Sequence, residues 1–408
     1  MKHASYEEKR SQFYGSIADF WADLYGQEYA LYDVKVVKKA EVENIRKASK
    51  CASMIFQKTA HLLRHADDET LLELGFPANT LPFIRLEPSS AETIIGRLDF
   101  VEVEGTYKVL ELNADTPTFI KELFSVNGAI CHKFGVGNPN EAEEEFLSKT
   151  VTSSILQASS AIQNPYVVFT SHEENIEDKQ TSLYLKHLAK IPSSYVPLSK
   201  LQIDDEGLYD EEGKRIDVLY RQTYPIEQLV LDRGEQGENI GEMLLDLVLR
   251  QKLVILNPPS AFLLQSKVVQ AAIWGLHEEK NAFFTEEEHM WIEEYFLPTY
   301  LEPDWFMENG YSYVKKPAFG REGDTVEVYH PTGELHFEEK NKSYTEFVPV
   351  YQKYVDLPVC SFSSVKGQQQ GHVMIGSFLL NGQPSAIGFR VGNRITDNLS
   401  YYLPMGLE

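Results

Sequence analysis

Arg97, Asp99, Glu111 and Asn113 fall in two short runs whose spacing can assemble a cation site. Asp99 to Val103 and Tyr107 to Asn113 read as strands, with Glu104-Gly105-Thr106 as the turn between them. A three-residue loop sets Val103 opposite Tyr107, Asp99 opposite Glu111 and Arg97 opposite Asn113. Side chains alternate along a strand, so the four polar groups then share one face, while Leu98, Phe100, Leu110 and Leu112 fill the other. A two-residue loop would pair Asp99 with Leu110 and divide the polar set between the faces. Two carboxylates and an amide suit Mg²⁺, which keeps part of its water shell and shares substrate phosphates. An arginine beside them can offset carboxylate charge or hold a developing anion. The same spacing also suits a salt-bridged strand pair on a solvated face, and spacing alone leaves both readings open.

Other elements must position this pair. Residues 1 to about 77 read as helical, with apolar positions at Phe13, Ile17, Phe20, Trp21 and Leu24 and a second helix from Lys39 to Arg64. His61 and His65 sit four apart on that helix and could share a metal, but they read as a surface pair, because nothing else completes a ligand set. Asp115-Thr116-Pro117-Thr118 reads as a helix start, with a capping side chain and bare N–H groups suited to an anion. Beyond a helix over residues 140–160, the texture becomes strand–helix–strand: Pro165–Thr170, Ile176–Leu188, Tyr195–Leu198 and Val218–Arg221, as in a small parallel sheet. A helix from Glu238 to Arg250 leads to the strand Leu253–Leu256, then Asn257-Pro258-Pro259. Lys267 opens the next helix. Tyr313–Pro317 is a strand ending in the loop Ala318-Phe319-Gly320-Arg321-Glu322-Gly323, whose glycines could let N–H groups face phosphates. The remainder is strand-rich.

The chain has 408 residues, room for two or three domains, and an ordinary globular composition with 43% hydrophobic residues. Its net charge of −23 argues against a nucleic-acid partner. That charge is compatible with a cationic substrate such as a polyamine, and equally with acidity that serves solubility. Three scattered cysteines form no disulfide framework and no CxxC site. The N-terminal run lacks the apolar core of a signal peptide, and no apolar run approaches the roughly 20 residues that span a bilayer. The expectation is a cytoplasmic protein without membrane contact, monomeric or homodimeric.

Taken in order, Gly96-Arg97-Leu98-Asp99-Phe100, Glu111 to Thr118, Asn257-Pro258-Pro259 with Lys267, and Lys316 to Gly323 resemble the synthetase portion of the glutathionylspermidine synthase family. This is an ATP-grasp group of acid–amine ligases. The resemblance runs from about residue 10 to the end of the chain. It implies an α/β (α+β) ATP-grasp fold with a helical N-terminal region and a small inserted α/β subdomain. The implied division is 1–80 for the helical region, 81–160 for the metal-binding strand pair and core helices, 161–255 for the preATP-grasp-like subdomain, and 256–408 for the nucleotide-binding and lid region. Asp99, Glu111 and Asn113 match the family's Mg²⁺ ligands, and Arg97 its catalytic arginine. Thr116 and Thr118 match hydroxyl positions near the peptide substrate. Lys267 and Lys316 match the lysines that hold ATP phosphates. Gly320, Arg321 and Gly323 lie in the matching lid, expected to be mobile from Phe319 to Asp324. Gln352, Tyr354 and Val355 fall in the segment that meets adenine, and Arg390 matches a basic residue near the phosphates. Bifunctional members carry an amidase domain ahead of the ligase; the first motif here begins at Gly96, so amidase chemistry is not implied.

The implied activity is ATP-dependent amide formation between a small-molecule acid, such as glutathione or a similar peptide, and an amine through an acyl phosphate. An ATP-grasp kinase and a non-catalytic ATP- or polyamine-binding regulator are the alternatives.

Overall fold

A computed structural model of the protein describes residues 5–88, 91–321 and 323–408. Helix α1 covers Tyr6–Tyr14, far short of the helical stretch expected there. Two-residue strands at Asp23–Leu24 and Gln27–Glu28 follow, and Lys35–Val37 pairs in parallel with Met405–Leu407. Positive φ at Asp19, Tyr25 and Gly26 interrupts helical geometry, so Trp21 is buried in a folded-back segment and not along a helix face. Helix α2 runs Lys39–Arg64, as its periodicity predicts. Glu41 accepts from the Lys38 N–H at 2.9 Å at its start, and Val42, Ile45, Ala52, Phe56 and Leu63 form its buried face.

The strand pair is β1 (Ile95–Val103) and β2 (Thr106–Asn113). Helix α3 (Glu143–Ala158) precedes β3 (Val167–Ser171), α4 (Ile176–Leu188) and β4 (Ser194–Tyr195). Then come β5 (Val218–Gln222), α5 (Ile240–Leu249) and β6 (Val254–Leu256). These strands form a parallel sheet in the order β6-β5-β3-β4, the strand–helix–strand unit expected over this stretch. The order reverses between β3 and β5: β4 lies on one side of β3 and β5 on the other. Helix α6 (Val268–Glu278) leads to an antiparallel sheet of β7 (Thr299–Tyr300), β8 (Tyr313–Pro317), β9 (Glu327–Tyr329), β10 (Leu335–Glu338) and β11 (Pro349–Lys353), ordered β7-β11-β8-β9-β10. The last strands are β12 (Val359–Ser364), β13 (Gly367–Leu380), β14 (Gln383–Gly392) and β15 (Tyr401–Leu403). They join the first pair in the order β15-β14-β13-β1-β2, with β12 on the other part of β13. The fold is therefore mixed α/β with several sheets. Helix α2 packs on this last sheet, where Ser49 Oγ meets Ser377 Oγ at 2.7 Å. Among the described residues, no helix is long and apolar enough to cross a membrane.

Candidate active site

Arg97 pairs with Asn113, and Asp99 with Glu111, as the cation-site argument requires. The turn is nevertheless the shorter one. Glu104 and Gly105 form it with φ of 51° and 81°, and Val103 faces Thr106. The registers are reconciled by a bulge: Asp99 faces Glu111 but Phe100 faces Val109, so Leu110 is the extra residue. Leu110 therefore leaves the core face, where Val109 joins Leu98, Phe100 and Leu112, and instead lines a cleft. One inserted residue keeps Glu111 and Asn113 on the same face as Arg97 and Asp99.

The four polar groups are bonded to one another. Arg97 donates from Nε and Nη2 to the two oxygens of Asp99, at 2.7 and 2.9 Å, and from Nη1 to the Thr118 carbonyl at 2.8 Å. Asn113 Nδ2 donates to Asp99 Oδ2 at 3.1 Å and to Glu111 Oε1 at 3.4 Å. On the neighbouring strand Gly376 faces Asp99, and a Cβ there would lie 3.3 Å from Arg97 Cδ. The missing side chain leaves room for the arginine.

Two clefts meet at this cluster. The first encloses about 810 Å³, solvent mouth included, between the β8–β9–β11 sheet and the β1–β2–β13 sheet. Lys267, Lys316, Gly320, Arg321, Gly323, Gln352, Tyr354 and Val355 all line it, together with Asp99 and Glu111. The second, of about 760 Å³, is lined by Tyr25, Tyr29, Arg97, Asn113, Thr118, Glu177 and Arg390, and again by Asp99 and Glu111. Arg390 thus opens onto the second cleft, where Nη2 donates to the Asp397 carbonyl at 2.7 Å; Arg394 lines the first. Thr116 is buried and lines neither cleft. Arg321 Nη2 donates to its carbonyl at 2.7 Å and lies 3.2 Å from its Oγ1. Of the loop expected to act as a lid, Glu322 lies outside the described residues.

Basic side chains face the carboxylates across the junction. Lys267 Nζ lies 3.2 Å from Glu111 Oε2 and donates to the Gly320 carbonyl at 2.9 Å. Lys316 Nζ donates to Gln352 Oε1 at 2.8 Å, and Gln352 Nε2 in turn donates to Gln270 Oε1 at 3.2 Å. Burial works to raise the Glu111 carboxyl, but Lys267 and then Lys316 outweigh it and hold it at about 2. Burial pushes Asp99 up against the pull of Arg97. Burial also lowers the Lys316 ammonium to about 8, partly offset by Glu111. The oxygen-rich donors of Asp99, Glu111 and Asn113 fit a hard divalent cation once the Asn113 amide is turned to present Oδ1.

The Asn-Pro-Pro motif proves to be a clamp. Asn257 Oδ1 accepts from the N–H groups of Ile94 and Ile95 at 2.8 and 2.9 Å. Its Nδ2 faces the carbonyls of Ile95, Ala114 and Asp115 at 2.8, 3.1 and 2.6 Å. The start of β1 and the end of β2 are thus tied to the parallel sheet. Asp115 is not a helix cap: its carboxylate pairs with Arg221 at 2.5 Å and accepts from the Ile226 N–H at 3.2 Å. The helix begins beyond Phe119, whose φ is 80°. Sequence reasoning missed both partners. Away from the site, Glu87 joins His61 and His65, contrary to the expectation that nothing completes that pair; all three are exposed.

A glutathione synthetase-like effector from Globodera pallida, solved in apo form, shares this fold with a TM-score of 0.56 at 14% identity, over 92% of this chain and 89% of that one. The likeness is one of fold. Residues 4–408 match the model of the glutathionylspermidine synthase preATP-grasp family, and the chain belongs to that family. A Haemophilus influenzae protein described as "Putative acid--amine ligase" is 24% identical over 403 residues, covering 94% of this chain and 90% of the relative.

Proposed function

We propose that this protein is an ATP-dependent acid–amine ligase of ATP-grasp type, joining a carboxylate, such as that of a glutathione-like peptide, to an amine through an acyl phosphate. The observation that supports this reading is the position of Arg97, Asp99, Glu111 and Asn113 at the shared boundary of two clefts, one of which holds Lys267 and Lys316.

In this reading the first cleft takes ATP. Tyr354 and Val355 border the base, and Lys267 and Lys316 meet the phosphates. Asp99, Glu111 and Asn113 hold Mg²⁺, which when bound neutralises charge on the phosphoryl oxygens. The second cleft takes the acid, with Thr118 and Arg390 on its wall. Transfer then runs across the boundary: a carboxylate oxygen attacks the γ-phosphorus, and ADP leaves. Arg97, fixed by Asp99 and the Thr118 carbonyl, presents its guanidinium to the charge that develops on the transferring group. The unprotonated amine attacks the acyl carbon, expels phosphate and loses a proton. Arg321, held to the Thr116 carbonyl, together with Gly320 and Gly323 keeps water from the intermediate.

A phosphate-release screen against a matrix of acids and amines tests the reading. A ligase releases phosphate only when both partners are present. ADP with a stable phosphorylated product would indicate a kinase instead, and ATP binding without turnover for any pair would indicate a regulator.

A further inference from the structure

A third cavity lies against the parallel sheet. It encloses about 1040 Å³, solvent mouth included, and shares no lining residue with either cleft. Its place is informative. Thr170 and His172 mark the carboxyl end of β3, and Arg221 and Thr223 that of β5, where the strand order reverses. Open parallel sheets bind ligands outside the carboxyl ends of their strands at such a reversal.

The lining has two chemistries. Leu198, Leu201, Ile203, Leu219, Leu229 and Leu244 make an apolar floor. His172, Glu173, Glu174, Arg221 and Asp232 supply the charged end. Most of those charges are already engaged. Arg221 is paired with Asp115, Glu173 with Lys179 at 3.1 Å, and Glu174 with His172 at 3.8 Å. Asp232 differs: its carboxylate is half-buried and has no hydrogen-bond or ion-pair partner among the described residues. Burial pushes its carboxyl up, against the opposing pull of His172 and Arg233. A half-buried carboxylate without a partner is stabilised by a cation that brings its own hydrogen-bond donors.

We propose that this cavity is a further ligand site, separate from the ATP and acid clefts, for a small primary amine with an apolar body. The ammonium group sits against Asp232 and the body lies on the leucine floor. The geometry disfavours a carboxylate head, because it would face the unpaired Asp232 carboxylate with Glu173 and Glu174 in the same wall. Pocket sites of this type combine an apolar lining with a few polar groups that fix orientation.

Calorimetry of the full chain with n-hexylamine, and separately with hexanoate, tests the site. Hexylamine should bind at one site near pH 7, where it is cationic, and hexanoate should not. Asp232→Asn should weaken hexylamine binding at least tenfold without moving the melting temperature, since the side chain is half-exposed and unbonded. Leu244→Trp, which fills the floor, should abolish binding. Absent hexylamine binding, equal affinity for hexanoate, or hexylamine affinity untouched by both substitutions would each overturn the proposal. The measurement needs no turnover, so its failure leaves the ligase reading standing, and an inactive enzyme leaves this site standing.

Discussion

Lys267 and Glu111 form an ion pair, 3.2 Å between Nζ and Oε2, at the line where the two clefts meet. The pair couples the two halves of the proposed site. In the proposed reading, the ammonium that would meet phosphate in the nucleotide cleft also balances a carboxylate that would hold the cation. Glu111→Gln removes one ligand charge and frees Lys267. The expected result is a sharply raised magnesium requirement for turnover and a rate lower by on the order of 10²-fold, with nucleotide still bound. Wild-type magnesium dependence in the variant would remove Glu111 from the cation site.

Lys316 yields a prediction with a definite sign. Its ammonium is lowered to about 8 by burial, and triphosphate oxygens favour the charged form. ATP affinity should therefore fall as pH rises through about 8, and binding near that pH should take up a proton. Calorimetry in buffers of differing ionisation enthalpy measures the uptake. Lys316→Ala should weaken binding and abolish the uptake; the same proton count in wild type and variant contradicts the assignment.

Asn257 makes the structural prediction. Asn257→Ala strips partners from two buried N–H groups at the start of β1. Each orphaned group costs about 1–3 kcal/mol, so the variant should lose about 2 kcal/mol or more in denaturant melts. A loss under about 0.5 kcal/mol, the range of ordinary surface changes, would show that the clamp does not hold the strand pair.

Glu227 is buried with neither carboxylate oxygen bonded, and burial raises its carboxyl to about 7. The folded state thus keeps a proton that the unfolded chain loses near pH 4.5. Stability should fall as pH rises from about 4.5 to 7, by about 3 kcal/mol for this group. Glu227→Gln should flatten that part of the stability profile. Parallel profiles for variant and wild type would mean the carboxyl is not buried neutral.

What the sequence made legible follows the range of the interactions. Helix α2 and β8 were readable to their ends, because periodicity, caps and composition are local. The pairing of Asp99 with Glu111 was also readable, although through the wrong turn. Leu110 looks like any strand leucine, and only the combination of a tight Glu104-Gly105 turn with a functional register demands a bulge there. The segment around Trp21 misled because aromatic residues at three- and four-residue spacing serve a folded-back coil as well as a helix. Asp115 with Arg221, and Asn257 with Ile94, are joined only in space, and such contacts leave no periodic trace in the sequence.

The central claim is that a substrate carboxylate attacks phosphorus. Once the phosphate-release screen supplies an acid and amine pair, the acid is labelled with oxygen-18 in its carboxylate and the released phosphate is analysed by mass. One labelled oxygen per phosphate is the result this account predicts, because the bridging oxygen of an acyl phosphate leaves with phosphorus. Label retained wholly in the acid and amide, with none in phosphate, would contradict it.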